Sequence, residues 1–86
     1  SEMIRTIIQK SHDGIIATNE ENRISLFNPE AEKIFHRIKY EVLGKKVEDI
    51  CVSIDEKKLN ELREQHKDII EEVELKETQE DIEENK

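Results

Sequence analysis

The junction at Asn28, where an alternating segment meets the start of a helix, constrains the fold of this chain more than any other feature. The residues before it alternate, so Ile24 and Leu26 are predicted on one face of a strand and Phe27 on the other. Asn28 is a favourable helix N-cap, and Pro29 follows at the first helical position, where its missing N–H is not needed. A strand therefore leads directly into a helix.

Segments on both sides of this junction complete an α+β pattern. The short β-branched run 15–18 and the polar connector 19–22 precede the alternating strand, which predicts an antiparallel β-hairpin. Apolar residues at helical spacing predict a helix over 2–11, a helix after Pro29 and short helical turns ending at Gly44 and near Cys51. The fold class is α+β, a hairpin flanked by short helices and one long helix.

The length of 86 residues and the 34% hydrophobic content limit the core that this chain can build. We expect one domain over residues 1–75 and an acidic tail, disordered or helical, over 76–86. We also expect the chain either to recruit a partner or to leave part of itself disordered.

Charge and motifs exclude several classes of function. The net charge is -8 and no basic stripe is present, so direct binding of nucleic acid is not expected. The sequence has no apolar run of membrane-spanning length and no signal segment, which predicts a cytoplasmic protein that does not enter a membrane. It also lacks a phosphate-binding glycine loop, a nucleophile elbow and a zinc-protease motif, which predicts no enzyme.

The strongest helical signal lies in the last third of the chain. Ser53 and Glu56 fit a capping box, and the absence of glycine and proline beyond them predicts one long helix over about 54–74. Heptad spacing gives this helix an apolar seam that could bind a second copy, formed by Leu59, Leu62, His66, Ile69 and Val73.

Three spaced stretches resemble a PAS domain, a sensor module of bacterial signalling proteins. They are DGIIAT at 13–18, RISLFNPEAEKIF at 23–35 and EVLGKKVEDI at 41–50. The resemblance implies a sensory and dimerisation module that works with an output domain. It also implies a small-molecule pocket under the sheet, which we assign to Ile15, Ala17, Ile24, Leu26, Ile34, Phe35, Leu43, Val47 and Ile50.

The chain departs from this family after the long helix, where the resemblance implies three further strands. Only the run 69–75 alternates enough to form one of them. The outer edge of the first strand would then stay open, so we expect homodimers that form through this edge, through the seam, or through both. The alternative is that the chain is a piece of a longer protein whose remaining strands lie outside it.

The identity of the ligand stays open at this stage. The flavin-binding branch of the family places a cysteine where this chain has Val47, so covalent flavin chemistry is disfavoured, and Cys51 is predicted to be a small buried hydrophobe. Haem is not expected at His66, because its surroundings do not match the haem-sensor pattern. Histidine spacing predicts no metal site. The alternative function is a structural homodimerisation domain without a ligand, and in either case the output domain would be a histidine kinase or a transcriptional activator.

Overall fold

A computed structural model describes residues 1–84 of the chain. These residues form two strands in one antiparallel sheet and six helices, which confirms the α+β class. In chain order the elements are α1 (Glu2–Lys10), β1 (Ile16–Thr18), β2 (Ile24–Phe27), α2 (Pro29–Phe35), α3 (Lys39–Val42), α4 (Val47–Ile50), α5 (Glu56–Gln65) and α6 (Lys67–Glu84).

The hairpin pairs β1 with β2 antiparallel, as predicted, but its side chains do not alternate as expected. Ile24 and Phe27 are both buried, with exposed fractions of 2% and 1%, although the alternation predicts them on opposite faces of the strand. Helix α2 begins directly after this strand and brings Phe35 over it, with the two phenyl centroids 5.9 Å apart. The register also shifts between Ala17 and Thr18, near the turn of the hairpin.

The two edges of the hairpin differ. The outer edge of β2 is covered, because Ile24 N–H donates to the Lys45 carbonyl at 2.8 Å and Gly44 N–H donates to the Ile24 carbonyl at 2.9 Å. Within residues 1–84 no strand pairs with the outer edge of β1. The run 69–75, considered as a third strand, lies inside helix α6.

Local signals at the start of α2 and the end of α3 give the expected structure. Asn28 caps α2, and its Oδ1 accepts a hydrogen bond from Ala31 N–H at 3.0 Å, with Pro29 in the first turn. Gly44 follows α3 with a φ of 85°, the left-handed conformation that glycine adopts without steric cost.

Two apolar clusters hold these elements together. The first core, which lies between the hairpin and α2 to α4, consists of Ile24, Phe27, Ala31, Val42 and Ile50. The second core, which packs the chain after α2 against α5, consists of Ile38, Leu59 and Leu62. Tyr40, Ile54 and Ile70 pack around the second core.

The predicted long helix is interrupted. α5 ends at Gln65 and α6 begins at Lys67, so the prediction of one uninterrupted helix over 54–74 is wrong. The prediction that Ser53 and Glu56 form a capping box is also wrong, since Asp55 caps α5 by accepting a hydrogen bond from Lys58 N–H at 2.8 Å. At the break, the backbone N–H and the ring Nδ1 of His66 both donate to the Leu62 carbonyl, at 3.2 and 2.9 Å.

A buried ion pair lies beside the first core. Arg37 and Glu41 are 8% and 9% exposed, and Arg37 Nη1 lies 2.7 Å from Glu41 Oε1. Arg37 also donates to the Val52 carbonyl at 2.6 Å, while Lys45 Nζ lies 2.9 Å from the same Glu41 oxygen. Through these contacts Arg37 fixes the segment after α4 to α3. Removing Glu41 would leave the Arg37 charge without a carboxylate partner in the interior, whereas Glu41 would keep Lys45 if Arg37 were removed.

Candidate functional site

The nine residues predicted to line a ligand pocket occupy three different environments. Ile24 and Ile50 lie in the first core, and Ile34 and Leu43 are exposed by 65% and 37%. The remaining five are partly buried, namely Ile15, Ala17, Leu26, Phe35 and Val47. The assignment of a pocket to these residues stays a prediction.

A cleft lies elsewhere in residues 1–84, between the segment 36–40 and helices α5 and α6. Its volume is about 1040 Å³, and its apolar floor includes Tyr40, Leu59 and Ile70. None of the nine predicted pocket residues lines it. No sequence pattern predicted this cleft, because it forms where α6 passes over a segment distant from it along the chain.

Charged side chains of both signs line the walls of this cleft. Arg63 and Lys67 lie on one wall at the α5–α6 break, and Glu74 and Glu77 lie further along α6. Tyr40 sits beside the acidic part, where burial, Glu77, Glu32 and Glu74 together raise the pKa of its phenol above the ordinary value of 10.0. Such a cleft suits a polar ligand or a charged peptide better than a planar apolar cofactor.

The predicted dimer seam is divided between the interior and the surface. Leu59 and Leu62 are 2% and 7% exposed and belong to the second core. His66 and Val73 are partly buried, and Ile69 is 47% exposed. A contact between two copies along this seam would therefore use its second half, since Leu59 and Leu62 in the first half are already buried within the chain.

Helix α1 has an amphipathic pattern that is turned outward. Its apolar residues Met3, Ile4 and Ile7 are exposed by 75%, 59% and 62%, whereas Ile8 is partly buried. Its polar residues Arg5 and Gln9 face α6 and bond to carboxylates there. An amphipathic helix on a globular domain ordinarily buries its apolar side. The apolar stripe was visible in the sequence, but which way it faces depends on the tertiary fold.

The side chains considered for cofactors do not gather into a metal site. Cys51 is exposed, so the prediction that it is buried is wrong, and its Sγ lies 3.3 Å from the Val47 carbonyl oxygen. His36 Nε2 lies 2.9 Å from Glu56 Oε1, which joins the end of α2 to the start of α5. No group of three or more potential metal ligands occurs in the part of the chain that the structure describes. The expectations on flavin and haem stay predictions.

In the described region no helix combines the length and apolar character that crossing a membrane requires.

Comparison with known proteins supports one family. No curated protein and no solved structure matched the chain. A family model described as the PAS fold matches residues 2–84, which includes the hairpin, the Asn28 junction and all six helices. The chain therefore belongs to the PAS family, whose members are sensory and signalling modules.

Proposed function

We propose that this chain is a sensory and dimerisation module of a bacterial signal-transduction or transcription-regulating protein. It would act in the cytoplasm without catalytic activity of its own, and a histidine kinase or transcriptional activator, attached or separate, would read its state. Membership of the PAS family supports the signalling role. The apolar face that α1 turns outward is the observation that supports dimerisation.

The exposed face of α1, which we call the α1 face, consists of Met3, Ile4 and Ile7. Each of these side chains is more than half exposed. Contiguous apolar surface rimmed by polar residues is typical of protein interaction sites. A second copy of the chain would bury this surface.

The charges of α1 favour a second copy as the partner. Glu2 lies at the start of the helix and Lys10 at its end. In an antiparallel pair related by a two-fold axis, Ile4 of each copy would lie opposite Ile7 of the other, and Glu2 of each would approach Lys10 of the other. The helix dipoles would also be antiparallel. The open outer edge of β1 offers a further surface to the same partner.

A structural homodimerisation domain without a ligand is the second candidate. The packing of the first core supports it, because the five side chains of that cluster are each exposed by 2% or less. Mass spectrometry of the purified protein under native conditions distinguishes the two. A small molecule that stays bound to the protein supports the sensory function. A mass equal to that of the protein alone, also after incubation with added small molecules, supports the structural one.

Sedimentation velocity at micromolar concentration tests the homodimer. We expect the wild type to sediment as a dimer and Ile7→Ser to weaken dimerisation by about tenfold or more, because a symmetric interface loses the side chain twice. Ile34→Ser is the matched control, since Ile34 is 65% exposed but lies on α2. A wild type that is a folded monomer refutes the proposal. An equal effect of both substitutions would remove α1 from the interface.

A further inference from the structure

Helices α1 and α6 contact each other through polar side chains. Arg5 Nη2 forms an ion pair with Glu80 Oε2, and Gln9 Nε2 donates a hydrogen bond to Glu77 Oε1 at 2.9 Å. Arg5 and Gln9 lie one turn apart, as do Glu77 and Glu80. Two successive turns of α1 are therefore joined to two positions on one face of α6.

The inner face of α6 changes character along its length. Its partly buried positions are Ile70, Val73, Glu77 and Glu80, at the spacing of a single helical face. Ile70 packs against the second core, whereas the acidic positions further along reach α1. The first half of α6 is thus attached by apolar contact and the second half by charge and hydrogen bonding.

The break at His66 separates α6 from α5. His66 has a φ of -109° and a ψ of 11°, outside the helical range, and its N–H is shared between the Leu62 and Arg63 carbonyls. A few residues at the end of an element can absorb a change of direction between two helices. The break is therefore a position at which the direction of α6 relative to α5 can change.

Helix α1 is too short to be stable without tertiary contacts. It has nine residues and none of them is fully buried. Isolated helices below about 12 residues are marginal in water. Contacts on either face of α1 therefore stabilise the same helix, and two contacts that favour one state of an element are thermodynamically coupled.

We propose that the contacts Arg5–Glu80 and Gln9–Glu77 form a clasp that couples dimerisation on the α1 face to the docking of the second half of α6. Formation of the dimer orders α1, and ordered α1 holds α6 more tightly. In the reverse direction, docked α6 favours the dimer by the same factor. The coupling rests on the proposed function, because it requires a dimer. The contacts between α1 and α6 themselves lie within one chain.

Amide hydrogen exchange measured by NMR tests the clasp. Glu80→Ala should lower the protection of the amides of residues 5–10 by roughly two- to fivefold, the range typical of an exposed ion pair. Glu71→Ala is the control, because it removes a carboxylate of α6 that does not contact α1, and it should leave α1 protection unchanged. The double substitution Arg5→Glu with Glu80→Arg should restore protection, and added salt should reduce the difference between wild type and Glu80→Ala.

The dimer dissociation constant, measured on the same variants, tests the coupling. Glu80→Ala should weaken the dimer by the factor by which it lowers α1 protection, although Glu80 lies outside the α1 face. Unchanged α1 protection in Glu80→Ala overturns the clasp whether or not the chain dimerises. A wild type that stays monomeric, with α1 protection lost in Glu80→Ala, supports the intrachain contact but overturns both the coupling and the proposed function.

Discussion

Replacing Asn28 should destabilise the domain far more than the loss of a helix cap. This side chain is 1% exposed and makes four hydrogen bonds. Its Oδ1 accepts from the N–H groups of Ile15 and Ala31, at 2.8 and 3.0 Å. Its Nδ2 donates to the carbonyls of Ile8 and Asp13, at 3.1 and 2.8 Å. All the hydrogen-bonding capacity of the amide is therefore used, and it joins α1, the segment between α1 and β1, and α2.

The magnitude follows from the backbone groups that Asn28→Ala leaves without a partner. An N-cap alone contributes about 1 kcal/mol. The Ile8 carbonyl keeps a bond from Ser11 N–H at 3.4 Å, but Ile15 N–H and the Asp13 carbonyl, whose bonds to Asn28 are partly buried, lose their partner. Each such group costs about 1–3 kcal/mol when water cannot replace the partner. Because these groups are only partly buried, we expect water to form hydrogen bonds with some of them and so to reduce the loss of stability. The expected total loss is about 3–5 kcal/mol.

Urea denaturation followed by circular dichroism, at one fixed protein concentration, measures this loss. Asp55→Ala is the matched control, because Asp55 caps α5 on the surface with one bond to Lys58, and it should cost about 1 kcal/mol. Asn28→Asp keeps the cap but replaces both donors with an oxygen that faces two carbonyls. It should cost at least about 2 kcal/mol. If Asn28→Ala costs no more than the control, and Asn28→Asp is neutral, the role of Asn28 is capping alone.

Two further predictions concern the cleft and the glycines. The single tyrosine and the absence of tryptophan make tyrosinate absorbance a specific probe of Tyr40. Because burial and Glu77 raise its pKa, the stabilising contribution of the neutral phenol is complete below pH 10.0, the ordinary value, and is lost as pH rises through the folded-state value. Glu77→Gln should lower the titration midpoint and Glu71→Gln should not; an unchanged midpoint in Glu77→Gln would mean that α6 does not lie beside Tyr40. Gly44→Ala should cost about 1 kcal/mol through its positive φ alone, since nothing lies within 4 Å of the added Cβ. Gly14→Ala should cost less, because the added Cβ would lie 2.7 Å from Ile34 Cδ1, the end of a side chain that can rotate away. A lower melting temperature for Gly14→Ala than for Gly44→Ala would contradict this.

Features set by neighbouring residues could be predicted from the sequence. The hairpin, the cap at Asn28 and the left-handed Gly44 depend on residues close along the chain, and all three are present. The N-cap of α5 shows the limit of this approach. Ser53 and Asp55 are both good caps, and sequence spacing favoured Ser53, whereas the fold starts the helix at Glu56.

Features set by tertiary contacts could not be predicted in this way. The break at His66 occurs without glycine or proline, and a ring-to-backbone hydrogen bond to Leu62 accompanies it. The burial of Phe27 depends on where α2 folds back, and the burial of Arg37 depends on a carbonyl fifteen residues further along the chain. The direction of α1 is similar, because a helical stripe fixes which residues share a face but not what that face contacts.

The distribution of buried and exposed apolar residues separates two parts of the molecule. Among residues 1–84, every buried apolar side chain lies between Ile24 and Leu62. Six of the large exposed ones lie on the first and last helices, namely Met3, Ile4, Ile7, Ile69, Leu75 and Ile82. The segment between Ile24 and Leu62 therefore supplies most of the hydrophobic stabilisation. Helices α1 and α6 add little to it, so they can change their contacts without unfolding the core. Elements of low local stability are the ones that typically respond to partners and ligands, and this is the role that the proposals give to α1 and α6.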